Sequence, residues 1–309
     1  SYALNDQAPE GVSLTGNQLT VQPTCTAAQF TIKVTAAETD NYNAAEETFT
    51  VTVVDKATAD VTITGLPGTV SYGQKFILAA SQTDDTTSAN KKWTWDYDQG
   101  YFKLVGPNAN TETITLQAIK AGTPSKGITA TYESGTHKGS ATVNAVVEKK
   151  EVTVSGITAE NKEYDGGTTA TVNASGAIIT GKETGDNLTV SVSAGSTFDS
   201  ADAGSRTVTL GALTLGGASA GNYKLAASGN QTTATANITA KDVSISAATV
   251  NDKGYDGNAN ATVASVTITG VSSTLSMGTD FDVTSATFPD ADADTANVDV
   301  TINVALKGT

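Results

Sequence analysis

One histidine and one cysteine are all that this 309-residue chain offers for nucleophilic or soft-metal chemistry. Zinc sites draw on three or four Cys, His or carboxylate ligands, and a Ser-His-Asp triad needs its imidazole held between two partners. His137 stands in the turn-like run Glu133-Ser134-Gly135-Thr136-His137-Lys138-Gly139 and reads as a solvated loop residue. Cys25 has no base near it in sequence and reads as a small, half-buried side chain. Oxygen ligands are better supplied. Asp290, Asp292 and Asp294 alternate in Pro289-Asp290-Ala291-Asp292-Ala293-Asp294, and Ca²⁺ takes six to eight such oxygens. An EF-hand loop counted from Asp290 needs glycine sixth and glutamate twelfth, where the chain has Thr295 and Thr301. A solvated acidic turn is the simpler reading of this run. No cofactor and no catalysis are expected.

Two further groups could bind or crosslink. The run Trp93-Thr94-Trp95-Asp96-Tyr97-Asp98-Gln99-Gly100-Tyr101-Phe102 holds both tryptophans. On a strand, alternate side chains share a face, so Trp93, Trp95 and Tyr97 oppose Thr94, Asp96 and Asp98, which reads as core opposite solvent. Tyr101 and Phe102 face opposite ways, which leaves one of them as a candidate glycan contact. Lys33 and Lys103 lie on strand-like segments where a Lys-Asn crosslink is conceivable, and sequence alone names no partner for either.

The most repeated chemistry is structural. Lys162-Glu163-Tyr164-Asp165-Gly166 returns as Lys253-Gly254-Tyr255-Asp256-Gly257, 91 residues on, inside an ungapped match running from Val152 to Val172 and from Val243 to Val263. A repeat of that length is a domain, not a solenoid turn. Asp-Gly predicts a turn with a left-handed glycine, and the preceding tyrosine is expected to plug the end of a sandwich. A second pair, Asn222-Tyr223, precedes the last strand before Lys241, as Asn41-Tyr42 precedes the last strand before Lys56. Tyrosine there can bury its ring while its hydroxyl finds a partner.

The elements that must carry these motifs are strands. Apolar residues alternate with threonine in Phe49-Thr50-Val51-Thr52-Val53, Ile114-Thr115-Leu116 and Val208-Thr209-Leu210, and helical periodicity is nearly absent. Short alternating runs broken by Gly, Asn, Asp and Pro predict an all-β chain of tandem Ig-like β-sandwiches in an elongated array. Lysines at 56, 150 and 241 mark short joints at a spacing of about 90 residues, near the size of one sandwich, and give four parts: 1–56, 57–149, 150–240 and 241–309. The first holds only the later part of a module, and the last stops before any second Asn-Tyr pair. The chain begins at Ser1 without a leader-like segment, as expected of a piece of something longer.

Hydrophobic residues make up 38% of the chain and aromatics 6%, which suits small modules with thin cores. A net charge of −14 argues against nucleic acid and against docking to anionic lipid. No segment approaches the length of a membrane span, so no direct membrane insertion is expected of these residues.

Segments 151–240 and 242–309 resemble the YDG repeat family of bacterial surface proteins, on Lys162, Tyr164, Asp165 and Gly166, on Lys253, Tyr255, Asp256 and Gly257, and on the runs Phe198–Gly204 and Gly221–Leu225. The second copy departs where Asp294 replaces Gly204, and it lacks the Asn-Tyr end. Segment 57–149 is similar to the bacterial Ig-like domains of invasin- and intimin-type surface proteins, on Trp93-Thr94-Trp95, Leu116–Thr123 and Gly127–Tyr132, and segment 1–56 to the closing part of such a domain. The resemblance implies an extracellular, monomeric, non-catalytic stalk on a bacterial cell surface, or an adhesin module. Host or neighbouring-cell glycan or protein is the partner class it implies.

Overall fold

The computed structural model describes residues 2–4, 9–22, 25, 29–86, 90–106, 110–270, 274–291 and 298–307. The chain forms two compact units, Ser1–Glu148 and Lys149–Thr309. Both are built of strands, and the one helical turn among the described residues is a single 3-10 turn, Ala220–Asn222.

The first unit opens with β1 (Tyr2–Leu4), β2 (Val12–Thr15), β3 (Gln18–Val21), β4 (Gln29–Ala36) and β5 (Ala45–Thr52). β1, β4 and β5 make an antiparallel sheet, and β2 and β3 a hairpin. Asn41-Tyr42 differs from expectation. Thr39 and Tyr42 exchange backbone hydrogen bonds of 2.9 and 3.2 Å at the β4–β5 turn, and the Tyr42 side chain is 78% exposed. It caps a hairpin and does not anchor a core. Lys33, on β4, pairs with Glu46 at 2.6 Å.

There follow β6 (Ala57–Thr58), β7 (Val61–Thr64), β8 (Val70–Ser71), β9 (Lys75–Gln82), β10 (Lys92–Asp96), β11 (Phe102–Leu104), β12 (Thr113–Ala118), β13 (Ile128–Glu133), β14 (His137–Val143) and β15 (Val147–Glu148). They form two four-stranded sheets, in the orders β10-β13-β14-β6 and β11-β12-β9-β7. The period-2 pattern determines which side chains meet. Phe76, Leu78 and Ala80 of β9 and Ile114, Leu116 and Ala118 of β12 face Trp93 and Trp95 of β10 and Ile128, Ala130 and Tyr132 of β13 in one core. Ile77, between two buried neighbours, points outward. Trp93 and Tyr132 rings lie 4.9 Å apart, and the Trp95 indole N–H donates to the Thr111 carbonyl at 2.9 Å. This is an Ig-like β-sandwich. Each fully buried large apolar side chain contributes roughly 1.5–3 kcal/mol.

The second unit begins with β16 (Lys150–Ser155), β17 (Thr158–Ala159), β18 (Lys162–Glu163), β19 (Val172–Asn173), β20 (Ile178–Thr180), β21 (Thr189–Val192), β22 (Thr197–Phe198), β23 (Gly204–Thr209), β24 (Leu213–Gly216), β25 (Tyr223–Leu225) and β26 (Thr233–Thr239). Its main sheets are β20-β16-β25 and β18-β26-β23-β22. Phe198, Val208, Ala236 and Ile238 form one buried cluster, and Val152 and Val154 on β16 and Ile157 after it are buried as well.

The second repeat holds β27 (Ser244–Val250), β28 (Val263–Thr269), β29 (Phe281–Thr287) and β30 (Thr301–Leu306), paired as two antiparallel hairpins. Ile268 and Phe281 are its buried apolar residues among those described. Three hydrogen bonds recur at aligned positions of the two repeats. Glu160 N–H to Thr171 O, Ala170 N–H to Ser196 O and Phe198 N–H to Thr168 O, of 2.7–3.0 Å, return as Asn251 to Thr262, Ala261 to Ala286 and Phe288 to Ala259, of 2.8–2.9 Å.

The joint lysines are tied into the fold. Lys56 Nζ donates to Glu133 at 2.6 Å and to the Ser134 carbonyl at 2.7 Å. Lys150 pairs with Glu183, and Lys241 reaches Glu163 at 3.8 Å.

Candidate functional site

The Tyr-Asp-Gly motif is a turn stapled by its own lysine. Lys162 leaves β18 and folds back, donating to Asp165 Oδ1 at 2.7 Å and to the Gly167 carbonyl at 2.6 Å, with its ammonium 5.5 Å from the Phe198 ring centroid. Asp165 Oδ1 also accepts the Gly167 N–H at 2.8 Å, which closes an Asx turn. Lys253 does the same in the second copy. It pairs with Asp256 at 2.7 Å and donates to Asn258 O, Asn258 Oδ1 and Asn260 O at 2.6–2.9 Å. Gly166 and Gly257 both have φ of 77°, the left-handed region that glycine occupies without strain.

The tyrosines of the motif depart from expectation. Tyr164 is 37% exposed and Tyr255 72% exposed, so neither plugs a sandwich end. In the first copy the aromatic ring buried beside the motif is that of Phe198, over which the Lys162 ammonium lies. The buried tyrosine is instead Tyr223, 2% exposed. Its position follows from β25 pairing in parallel with β16, Lys150 opposite Tyr223. Its hydroxyl donates to the Asp186 carboxylate and accepts the Glu183 N–H at 2.9 Å. Asn222 closes the 3-10 turn that delivers it, donating its N–H to Ser219 O at 3.0 Å.

Electrostatics follow the staple. The Lys162 ammonium, then the Gly167 N–H, hold the Asp165 carboxyl below its ordinary value, and Lys253 does so for Asp256. A carboxyl depressed on folding stabilises above its unfolded pKa, and the contribution disappears as pH falls through the lower folded value. The melting temperature of Asp165→Asn should therefore lie below that of the unaltered chain at pH 7, and the gap should close between about pH 4 and pH 2. A gap unchanged down to pH 2 would rule out the staple as its source. Gly166→Val tests the turn itself. Open space surrounds the position where a Cβ would be added at Gly166, so the cost is conformational alone, about 1–2 kcal/mol. Denaturant unfolding that leaves residues 149–240 at unaltered stability would contradict this.

The other candidates resolve as follows. Phe102 is buried in the core of the first unit, so it cannot contact a glycan; β11 turns it inward against Phe76, ring centroids 5.9 Å apart. Tyr101 is partly buried, with Lys120 Nζ 5.0 Å from its ring centroid. Lys103 is exposed, which removes it from any core crosslink. Asp290 lines a cavity of about 320 Å³ with Lys253, Tyr255, Asp256 and Phe288; Asp292 and Asp294 lie outside the described residues. Among the described residues no three His, Cys, Asp or Glu side chains are grouped to hold a metal ion.

Two features stand outside the candidates drawn from the sequence, the second of them although its residue pattern is plain there. The first is a buried carboxylate. Asp85 accepts from the Tyr132 hydroxyl at 2.8 Å and the Ser134 hydroxyl at 2.5 Å, with His137 Nδ1 at 3.5 Å. His137 is thus a half-buried strand residue and not a solvated loop residue. Ser134 gives its proton to the carboxylate and not to the imidazole, which is the arrangement of a structural carboxylate and not of an activated nucleophile. The alternation of β13 could have signalled Tyr132, but Asp85 lies 47 residues away in a loop. The second is Gly217-Ala218-Ser219-Ala220-Gly221, a Gly-x-Ser-x-Gly pentapeptide. It leads into the 3-10 turn and not into an α-helix, and the Ser219 hydroxyl accepts the Asn187 N–H at 3.2 Å. It lacks the strand–helix context of a nucleophile elbow.

Fold and site together define an all-β chain of Ig-like modules with lysine-stapled turns. A family model described as the YDG domain matches residues 148–234. Among solved structures, the chain is similar to the eight N-terminal Ig domains of Down Syndrome Cell Adhesion Molecule isoform 1.30.30, with 12% identity over 78% of this chain and 32% of that one and a TM-score of 0.31. It is similar also to the I67–I69 I-band fragment of titin, with 10% identity over 78% and 87% and a TM-score of 0.28, and to Drosophila N-cadherin EC1–4, with 10% identity over 98% and 90% and a TM-score of 0.19. The chain thus spans about a third of the adhesion-molecule structure. No curated protein matches it.

Proposed function

We propose that this chain is a non-catalytic stalk segment of an extracellular bacterial cell-surface protein, monomeric, spacing or displaying adhesive elements through four consecutive parts, 1–56, 57–149, 150–240 and 241–309. The observation that carries the reading is where the motif spends its polar atoms. Lys162, Asp165, Lys253 and Asp256 direct theirs at backbone and side chains of their own turns, and Tyr223 directs its hydroxyl at Glu183 and Asp186 of its own module. A motif so used makes each module foldable and leaves the work to the row of modules. Each joint lysine is ion-paired within one adjoining module, Lys56 with Glu133, Lys150 with Glu183 and Lys241 with Glu163. Among the described residues no helix is long and apolar enough to cross a membrane.

Small-angle scattering of the 309-residue chain tests this. A radius of gyration well above the roughly 19 Å of one globule of this length is expected, and a value near 19 Å overturns the stalk. The second reading is an adhesin module for host glycan, mucin or protein, with repetition supplying avidity. Phe102, one of the two aromatics weighed as a glycan contact, is buried.

A further inference from the structure

The two sheets of the Ig-like sandwich turn different faces outward. Alternation sends every second side chain away from the core. On the sheet β10-β13-β14-β6 the outward charges are of both signs and are paired. Lys126 Nζ lies 2.5 Å from Asp96 Oδ1, and Lys56 Nζ 2.6 Å from Glu133 Oε1. The sheet β11-β12-β9-β7 has no Asp or Glu on any of its four strands. Its charges are Lys75 and Lys103, both exposed. Among the described residues neither lysine is in an ion pair or a side-chain hydrogen bond. In a chain of net charge −14, this face carries unopposed positive charge.

The register sets these groups in rows. Lys103 on β11 stands opposite Gln117 on β12, and Gln117 opposite Lys75 on β9. Two strand spacings put the lysine Cα atoms about 10 Å apart. The next outward row is apolar at both ends. Thr115 stands opposite Ile77, and its carbonyl accepts the Val105 N–H at 3.0 Å. Ile77 is 60% exposed and Val105 39%, while Phe76 and Leu78, on either side of Ile77, are buried. A row with two ammonium groups thus runs about 7 Å from a row with two aliphatic side chains.

We infer that this sheet face is a docking surface for a polypeptide segment that carries carboxylates beside aliphatic side chains. The unpaired lysines complement acidic groups and steer them in, and Ile77 and Val105 gain by being covered with apolar surface. A sugar chain fits less well. Sugar rings stack on open aromatic faces, and Tyr101, the aromatic residue at this edge, is partly buried with Lys120 Nζ 5.0 Å from its ring centroid. Four strands, about six residues deep, present roughly 400 Å², against about 800 Å² per partner in a stable protein interface. The occupant is therefore a short segment held by a weak, charge-steered contact. The inference rests on the second reading above, the adhesin module, and adds to it the surface and the chemistry of the ligand.

The test uses the 309-residue chain and three probes: a copolymer of glutamate and leucine, polyglutamate, and heparin. Amide NMR shifts on β9, β11 and β12 that saturate with the copolymer are expected. Lys75→Glu with Lys103→Glu should weaken binding by about tenfold or more, and raised salt should weaken it in the unaltered chain. Ile77→Thr keeps a β-branched side chain on the strand and should weaken the copolymer while leaving polyglutamate unchanged. Lys92→Glu with Lys138→Glu, exposed on the other sheet, should change nothing. Unaltered shifts on β13 check that the Lys75, Lys103 and Ile77 variants are folded. Equal weakening by the Lys92 and Lys138 pair, polyglutamate binding as tightly as the copolymer, or heparin binding these strands more tightly than the copolymer would each overturn the assignment, the last in favour of an anionic glycan. Saturable shifts confined to other strands would overturn the surface and leave the adhesin reading standing. No saturable shift at millimolar probe would also overturn the surface, and a glycan and mucin array would then decide the adhesin reading separately.

Discussion

Replacing Asp85 with alanine is expected to destabilise the sandwich of residues 57–148 by about 3–5 kcal/mol, the range for removing one partner of a buried charged cluster. The Asp85 carboxylate is 2% exposed, and Tyr132 and Ser134, the donors to it, are buried with it. Truncation leaves two hydroxyls without their acceptor, each costing about 1–3 kcal/mol, beneath the tryptophan that packs on Tyr132. Asp85→Asn keeps the shape and one acceptor oxygen, so a smaller loss is expected. Hydrogen exchange across β9, β12 and β13 separates this module from the rest of the chain, where a single unfolding curve would not. Equal protection in Asp85→Ala and the unaltered chain would show that the cluster contributes nothing. The same cluster has an alkaline signature. Burial, then the Asp85 acceptor, pushes the Tyr132 phenol up. A group raised on folding contributes fully below its unfolded pKa and loses that contribution as pH rises through the folded value. The module should therefore weaken above about pH 10, and Tyr132→Phe should remove that part of the pH dependence.

Tyr223→Ala is expected to cost the first repeat about 3–5 kcal/mol, the range for emptying a buried aromatic site. Tyr223→Phe should cost about 1–2 kcal/mol, because the ring still packs while the Glu183 N–H and the Asp186 carboxylate lose the hydroxyl between them. The location of the effect is the sharper test. β25 holds β16 through the register Lys150–Tyr223, Glu151–Lys224 and Val152–Leu225, so Lys150–Ser155 amides should exchange faster in Tyr223→Ala. Amides of Ser244–Val250 should not change, since β25 pairs with β16 and not with β27. Uniform loosening of both repeats would contradict an effect carried through the β16–β25 register.

Local chemistry was legible in the sequence wherever the cause was local. Alternating Val, Ile and Leu with Thr implies strands with one dry face, and β10 and β12 bury the expected sides, both tryptophans included. Asp-Gly implies a left-handed glycine, and Gly166 and Gly257 have it. Lys-x-Tyr-Asp-Gly was legible as a unit, but the element performing the anchoring was misjudged. The lysine reaches its partners within five residues in the first copy, whereas the burial of a tyrosine depends on which strand arrives from far along the chain.

The sequence by itself determined the all-β class, the repeat and its turns, because these follow from side-chain period and from the backbone freedom of single residues. Tertiary structure alone decided which tyrosine is buried, that Phe102 faces the core while Tyr101 only partly packs against it, and that Asp85 gathers Tyr132, Ser134 and His137. Each of these is a contact between segments tens of residues apart. Burial of a side chain is a property of what comes to cover it, and no local pattern specifies that neighbour.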